Sequence, residues 1–272
     1  MTTARVVLAS LFLAACTVSQ DQEAQIGQDE AAQINAKVPI LQDAAITDYV
    51  NTLGKSIASG TSRADLPWQF AVVNTDVVNA FALPGGFIYV NRGLIARTRN
   101  ESELASVVSH EIEHVVRRHS VKQMEKVQGA NIGLALTCKL TNICSHTAAQ
   151  VVIQLGGAAM FASFSRKDET EADEGGFQNE VRAGLDPLGM LTFFQRLLAE
   201  EQHNSALLSW FADHPGTQDR IADVQRMLAE LSPSVSNGLR TDSREFQAMK
   251  RQLAVLPAAP APPTQPGSPP DR

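Results

Sequence analysis

The sequence predicts an α+β fold, mostly helical, with a small β-sheet beside one central helix. Three observations carry that expectation. Apolar residues recur at helical spacing over most of the chain. Alternating stretches rich in β-branched and aromatic residues are confined to residues 68–90. Directly after them, from Asn100, runs a well-marked helix whose middle holds two histidines and two glutamates within five residues. The chain has 272 residues, 44% hydrophobic and 19% charged, which suffices to bury one core of good size. The net charge of -6 is scattered, and no basic stripe suits a nucleic-acid partner.

Residues 1–15 read as a targeting segment outside the fold. Arg5 is the only charge in a short leader, and Val6 to Ala15 is an apolar run too short to span a bilayer. It ends in Leu13-Ala14-Ala15-Cys16. Small residues directly before a cysteine resemble the bacterial lipobox, in which Cys16 is lipidated and the chain is cut before it. Two acyl signals make a stable membrane anchor where one chain is marginal. Thr17, and not Asp, follows the cysteine, which by the same resemblance directs the protein to the outer membrane, facing the periplasm. Polar residues 16–28 read as a tether. Outside the cytoplasm Cys138 and Cys144 can pair across six residues or remain free thiols, since spacing alone does not supply disulfide geometry.

The folded domain is expected over residues 29–255. A helix is predicted over 43–58 from Ile46, Tyr49, Val50, Leu53 and Ile57. A strand is predicted over 68–74. Residues 77–83 and 87–90, around Pro84-Gly85-Gly86, form a hairpin or two adjoining strands. Asn100 caps the next helix, with Glu103 at the capping-box position, and the helix is drawn to about Lys126. Residues 129–163 are apolar, but Lys139, Asn142, His146, Gln150 and Gln154 interrupt them, so they read as buried helices packed on the central one. Further helices are predicted from Lys167 and over 187–202, 217–231 and 242–254. Seven of the 13 prolines fall in the last 16 residues, so residues 256–272 read as a disordered tail.

His110-Glu111-Ile112-Glu113-His114 sits inside the central helix. Residues four apart share a face, so His110 and His114 can hold one metal ion, and Glu111 beside them can take a proton from a bound water. A catalytic zinc has three protein ligands and leaves the fourth position to water. The third ligand lies elsewhere. Position 117 is Arg and position 120 is Ser, which excludes a third histidine on a following glycine turn. His119 points off the shared face of a continuous helix. The acids of Asp168–Glu174 are the better candidates, and residue chemistry does not choose among them.

The segment Asn79-Ala80-Phe81-Ala82-Leu83-Pro84-Gly85-Gly86 through Gly93-Leu94 is followed by His110–His114, then Phe164-Ser165-Arg166, Glu169 to Asp173, and His214-Pro215. This series resembles the zinc metallopeptidase family of the CAAX prenyl proteases, HtpX and the mitochondrial Oma-type proteases. It looks most like the small bacterial lipoprotein members such as LoiP, or BepA without its tetratricopeptide array. The resemblance covers roughly residues 40–230. It implies a gluzincin-like domain holding one zinc ion on His110, His114 and Glu169, with Glu111 as the base. It also implies that Asp173 orients a ligand histidine, with Arg220 behind it. Asn79, Ala80 and Phe81 would edge the cleft, where a strand can pair with an extended substrate backbone. His214 would lie by the metal, either displacing the water of a resting enzyme or donating to the developing oxyanion; the alternative is a histidine that caps the next helix with no metal contact. The expected function is a zinc-dependent endopeptidase acting on misfolded or unassembled envelope proteins. The alternative is a chaperone-like assembly factor without activity, whose zinc is structural.

Overall fold

A computed structural model describes residues 17–126, 164–200 and 208–260. The leader with Cys16, the apolar stretch 129–163 with Cys138 and Cys144, and the tail beyond residue 260 lie outside the described residues. Among the described residues no helix is long and apolar enough to cross a membrane.

The expected α+β fold is observed, mostly helical with one small sheet. Helix α2 (Ala44–Ala58) starts on Asp43, whose side chain accepts from the Ile46 amide, and buries Ile46, Val50, Leu53 and Ile57. Strands β1 (Gln69–Val73), β2 (Ala80–Leu83) and β3 (Phe87–Asn91) form a sheet in the order β1-β3-β2. β3 runs parallel to β1 and antiparallel to β2, with Phe81 opposite Tyr89. The β2–β3 turn at Pro84-Gly85-Gly86 needs φ of 76° at Gly85 and 99° at Gly86, which glycine adopts without strain.

One face of the sheet, through Phe70, Val72, Ala80, Ile88 and Val90, joins the main core with α2 and with α4 (Glu101–Val116). α3 (Arg92–Arg97) links β3 to α4. The other face, through Leu83, Phe87 and Tyr89, packs on helix α1 (Gln20–Lys37). This corrects the expected tether over residues 16–28. The segment is too polar to show an apolar stripe, yet Ser19 and Gln22 close a capping box. Glu23, buried, then binds Arg63 on both carboxylate oxygens, at 2.8 and 3.2 Å, and Arg118 at 2.7 Å. α1 is held by buried ion pairs that a periodicity reading does not register.

α4 is shorter than expected. Asn100 caps it, accepting from the Glu103 amide at 3.0 Å. The Glu103 carboxylate accepts from the Arg99 amide and from Arg196, so the box is not closed on Asn100 itself. The helix ends at Val116. Arg118 has φ of 57°, a left-handed turn, and α5 (119–126) restarts in a new direction. Beyond residue 163, α6 (Arg166–Arg182) lies against α4, capped by Ser165 and Asp168. α7 (Leu188–Glu200) packs on the far side of α4 through Phe193, Phe194 and Leu197. The short α8 (Leu208–Asp213), α9 (Thr217–Glu230) and α10 (Arg244–Val255) complete the core.

Candidate active site

Two glycines bring the helices of the site together. A Cβ on Gly175 would lie 2.1 Å from Glu113 Cδ, and one on Gly176 would lie 3.2 Å from the His110 amide nitrogen. α6 therefore closes on α4 at a distance where a larger residue would displace the Glu113 side chain or crowd the His110 backbone, and side chains one or two turns earlier on α6 reach the histidine face of α4. His110 and His114, one turn apart, turn their Nε2 atoms to within 2.9 Å of each other. Glu169 approaches from α6, with Oε2 3.5 Å from His110 Nε2 and Oε1 3.5 Å from His114 Nε2. His214, on the turn after α8, points in with Nδ1 3.3 Å from Glu169 Oε2 and Nε2 3.6 Å from Glu111 Oε1.

These groups are almost wholly buried, and ligand atoms of His110, His114, Glu169 and His214 all lie within 4.8 Å of one another. Both Glu111 oxygens, Glu169 Oε1 and His214 Nε2 meet no hydrogen-bond partner. Buried polar atoms left so are costly unless a further group satisfies them. The donor set is nitrogen and carboxylate oxygen, and ligands about 2.0–2.1 Å from a tetrahedral zinc stand about 3.3 Å apart. The separations of 2.9–3.5 Å among His110, His114, Glu169 and His214 bracket that value, so the residues present fit a zinc ion.

Behind this cluster, Asp173 Oδ1 lies 2.8 Å from His110 Nδ1. Arg220, from α9, donates Nε to Asp173 Oδ2 at 2.6 Å and Nη2 to Oδ1 at 2.7 Å, and its Nη1 is 2.7 Å from Glu169 Oε2. Its guanidinium lies 4.4 Å from the Phe194 ring centre.

The electrostatics follow from burial and pairing. Burial works against the charge of Glu169, yet His214, Arg220 and His110 hold its carboxyl well below the usual range. Asp173 is lowered as well, Arg220 outweighing burial. Burial pushes Glu111 up. Burial disfavours the charged form of both His110 and His114. Glu169 and Asp173 nevertheless raise His110 to about 9, whereas His114 falls to about 3. Two facing imidazole nitrogens accommodate one proton between them, and His110, nearer the carboxylates, takes it.

The site residues singled out in the sequence that fall among the described residues are placed as follows. His110, Glu111, His114, Glu169, Asp173, His214 and Arg220 converge on one centre. Ala80 and Phe81 begin the edge strand β2, which is packed beside α4, and Asn79, just before the strand, donates from Nδ2 to Asp213 Oδ2 at 2.8 Å. Glu171 turns away, towards Lys167 and His119. His119 departs from expectation. Because the helix breaks at Arg118, it does not point off the site but returns to it, with Nδ1 2.9 Å from His114 Nδ1. The signal that finds it is a turn conformation at an arginine, which the sequence does not display.

The profile of peptidase family M48 matches residues 44–228, more than half of the chain. The chain is 33% identical over 232 residues to the beta-barrel assembly-enhancing protease of Escherichia coli (strain K12), covering 82% of this chain and 47% of that protein. It is 28% identical over 218 residues to the mitochondrial metalloendopeptidase OMA1 of Schizosaccharomyces pombe, covering 78% and 63%. To the metalloprotease LoiP of Escherichia coli (strain K12) it is 28% identical over 186 residues, covering 68% and 70%. The chain thus spans about half the length of the assembly-enhancing proteases it matches.

Proposed function

The chain belongs to peptidase family M48, and we propose that it is a zinc-dependent endopeptidase acting on misfolded or unassembled proteins of the bacterial cell envelope. One observation carries this reading: His110, His114 and Glu169 bring ligand atoms within 4.8 Å of one another beside buried Glu111, whose oxygens meet no hydrogen-bond partner. A purely structural zinc site has no use for such a base, which weighs against the rival reading of an assembly factor without activity.

A zinc ion bound there would supply Lewis-acid chemistry, polarising the scissile carbonyl and lowering the pKa of a bound water to about 7. His110, His114 and Glu169 would hold it. Asp173, braced by Arg220, fixes the His110 ring by accepting its Nδ1 hydrogen. Glu111, its proton affinity raised by burial, takes the water's proton and delivers it to the leaving amine. β2 pairs with β3 on one side, and no described strand pairs its other edge. An extended substrate adding there is held by main-chain hydrogen bonds, which tolerate many sequences and suit unfolded chains.

His214 is read as a fourth ligand that marks a resting state. Its ring sits among the ligands, 4.5 Å from the ring of fully buried Trp210, and the neighbouring Asp213 is tied to Asn79 at the substrate edge. Four protein ligands leave no place for the water. Under the same proposal Cys16 is lipidated and the protein is held on the periplasmic side of the outer membrane, which fatty-acid labelling of a Cys16→Ser protein tests. The enzymatic reading is tested by casein digestion with and without a chelator. Cleavage that stops on chelation and returns with zinc is expected, and cleavage indifferent to the chelator contradicts it.

A further inference from the structure

We propose that His119 is a positioning residue for His114, accepting the hydrogen of His114 Nδ1 and so aiming His114 Nε2 at the zinc position. The proposal rests on the reading of the site as a zinc centre. It starts from an asymmetry between the two ligand histidines. His110 is oriented by a carboxylate, Asp173, at 2.8 Å. His114 has no carboxylate at its second nitrogen. Instead it meets another imidazole, His119, nitrogen to nitrogen at 2.9 Å, and that ring is itself buried.

The polarity of the contact follows from counting hydrogens. His114 Nε2 faces His110 Nε2 and Glu169, so Nε2 is the ligating atom and needs its lone pair. A neutral imidazole then carries its hydrogen on Nδ1. That hydrogen points at His119 Nδ1, which must be the acceptor, and His119 in turn carries its hydrogen on Nε2. The acceptors for it are on the page. Glu171 Oε2 lies 3.4 Å from His119 Nε2, and Asp168 Oδ1 lies 3.8 Å away. The chain of donors runs from His114 through His119 to the carboxylates at the start of α6.

The same count decides against a second cation site. His119, Asp168 and Glu171 bring ligand atoms within 4.8 Å of one another, a grouping that suggests a metal. With its Nδ1 engaged by His114, His119 has no lone pair left on Nε2, so it faces the two carboxylates as a donor.

The backbone is built to put His119 there. A continuous helix would carry residue 119 off the histidine face, as its five-residue offset from His114 implies. The turn at Arg118 brings it back. That left-handed residue is pinned by Glu23, 2.7 Å from Arg118 Nε, and by the Val18 carbonyl, 2.5 Å from Nη2. Phe164 covers the pair, stacked 4.0 Å from the His114 ring centre and 6.0 Å from that of His119. The ion pairs that dock α1 thereby also set a support of the metal ligand.

The test measures zinc affinity by competition with a chromophoric chelator, for wild type, His119→Leu and His119→Asn. Leucine keeps the bulk and removes the acceptor. Asparagine loses bulk but sets an amide oxygen on Cγ, where the imidazole Nδ1 stood. Loss of an outer partner of a ligand histidine typically weakens metal binding by about 10–100-fold. The Leu variant is expected to fall in that range and the Asn variant to recover most of it. A packing role would order the variants the other way, by volume. A Leu variant with wild-type affinity, or an Asn variant that binds no better than Leu, overturns the proposal. A wild-type protein that binds no zinc would instead overturn the zinc reading itself.

Discussion

Arg220→Met isolates the electrostatic frame of the site. Methionine keeps an unbranched, flexible side chain near Phe194 but removes the guanidinium that binds both Asp173 oxygens and lies 2.7 Å from Glu169. Asp173 is 1% exposed and Glu169 0%, so water cannot replace what is lost. Removing one partner of a buried ion pair typically costs about 3–5 kcal/mol. In a domain of 150–250 residues each kcal/mol moves the melting temperature by about 2–4 °C. The metal-free variant should therefore melt about 6–20 °C below metal-free wild type at neutral pH. With zinc bound, the ion's charge falls on Glu169, and the gap should narrow. The pH dependence has a definite sign. Both carboxyls are lowered in the folded wild type, so their contribution is complete above the ordinary carboxylate range and is lost as pH falls through their folded values. The gap between metal-free wild type and variant should accordingly shrink below about pH 4. Calorimetry in chelator and in zinc, at several pH values, reads all three effects. A metal-free variant within 2 °C of wild type, or a zinc-loaded gap as wide as the metal-free one, refutes the reasoning.

Three further outcomes are expected. Glu169→Ala should lose zinc on dialysis while Glu171→Ala retains it, read by elemental analysis, because Glu169 faces the histidines and Glu171 faces His119 and Lys167. If His214 blocks the zinc, His214→Ala should raise casein cleavage. A fall of about 100-fold with zinc retained would make it an oxyanion donor instead. Glu180 is fully buried, which raises its pKa well above the usual value, and Ser106 Oγ already donates to the Ser102 carbonyl at 2.7 Å. Ser106 Oγ also lies 3.0 Å from Glu180 Oε2, and because burial outweighs that contact, stability falls as pH rises above the unfolded glutamate pKa. Glu180→Gln should raise the melting temperature at pH 8 more than at pH 5, and an equal or reversed change would show the carboxylate to be ionised.

Much of the site was legible because helical spacing is rigid. Residues 110 and 114 share a face in any α-helix, and Glu111 follows from the same geometry. Helix starts were legible where a side chain supplies the cap, as Asn100 and Asp43 do. Glu169, Asp173 and Arg220 were another matter. Which acid of Asp168–Glu174 faces the histidines depends on the approach of α6 to α4 at Gly175 and Gly176, a tertiary contact that only the family resemblance anticipated. α1 and His119 escaped for a related reason. Both depend on Glu23, a charged residue in a polar stretch that is buried only because Arg63 and Arg118 come to it from distant parts of the chain.

The most direct test of the central claim compares Glu111→Gln with wild type for both zinc content and casein cleavage. Glutamine keeps the shape of the side chain and cannot take a proton. The zinc reading predicts wild-type metal content, an unchanged fold and the loss of proteolysis. Cleavage within tenfold of wild type by the zinc-loaded variant would contradict the assignment of Glu111 as the base, and with it the proposed mechanism.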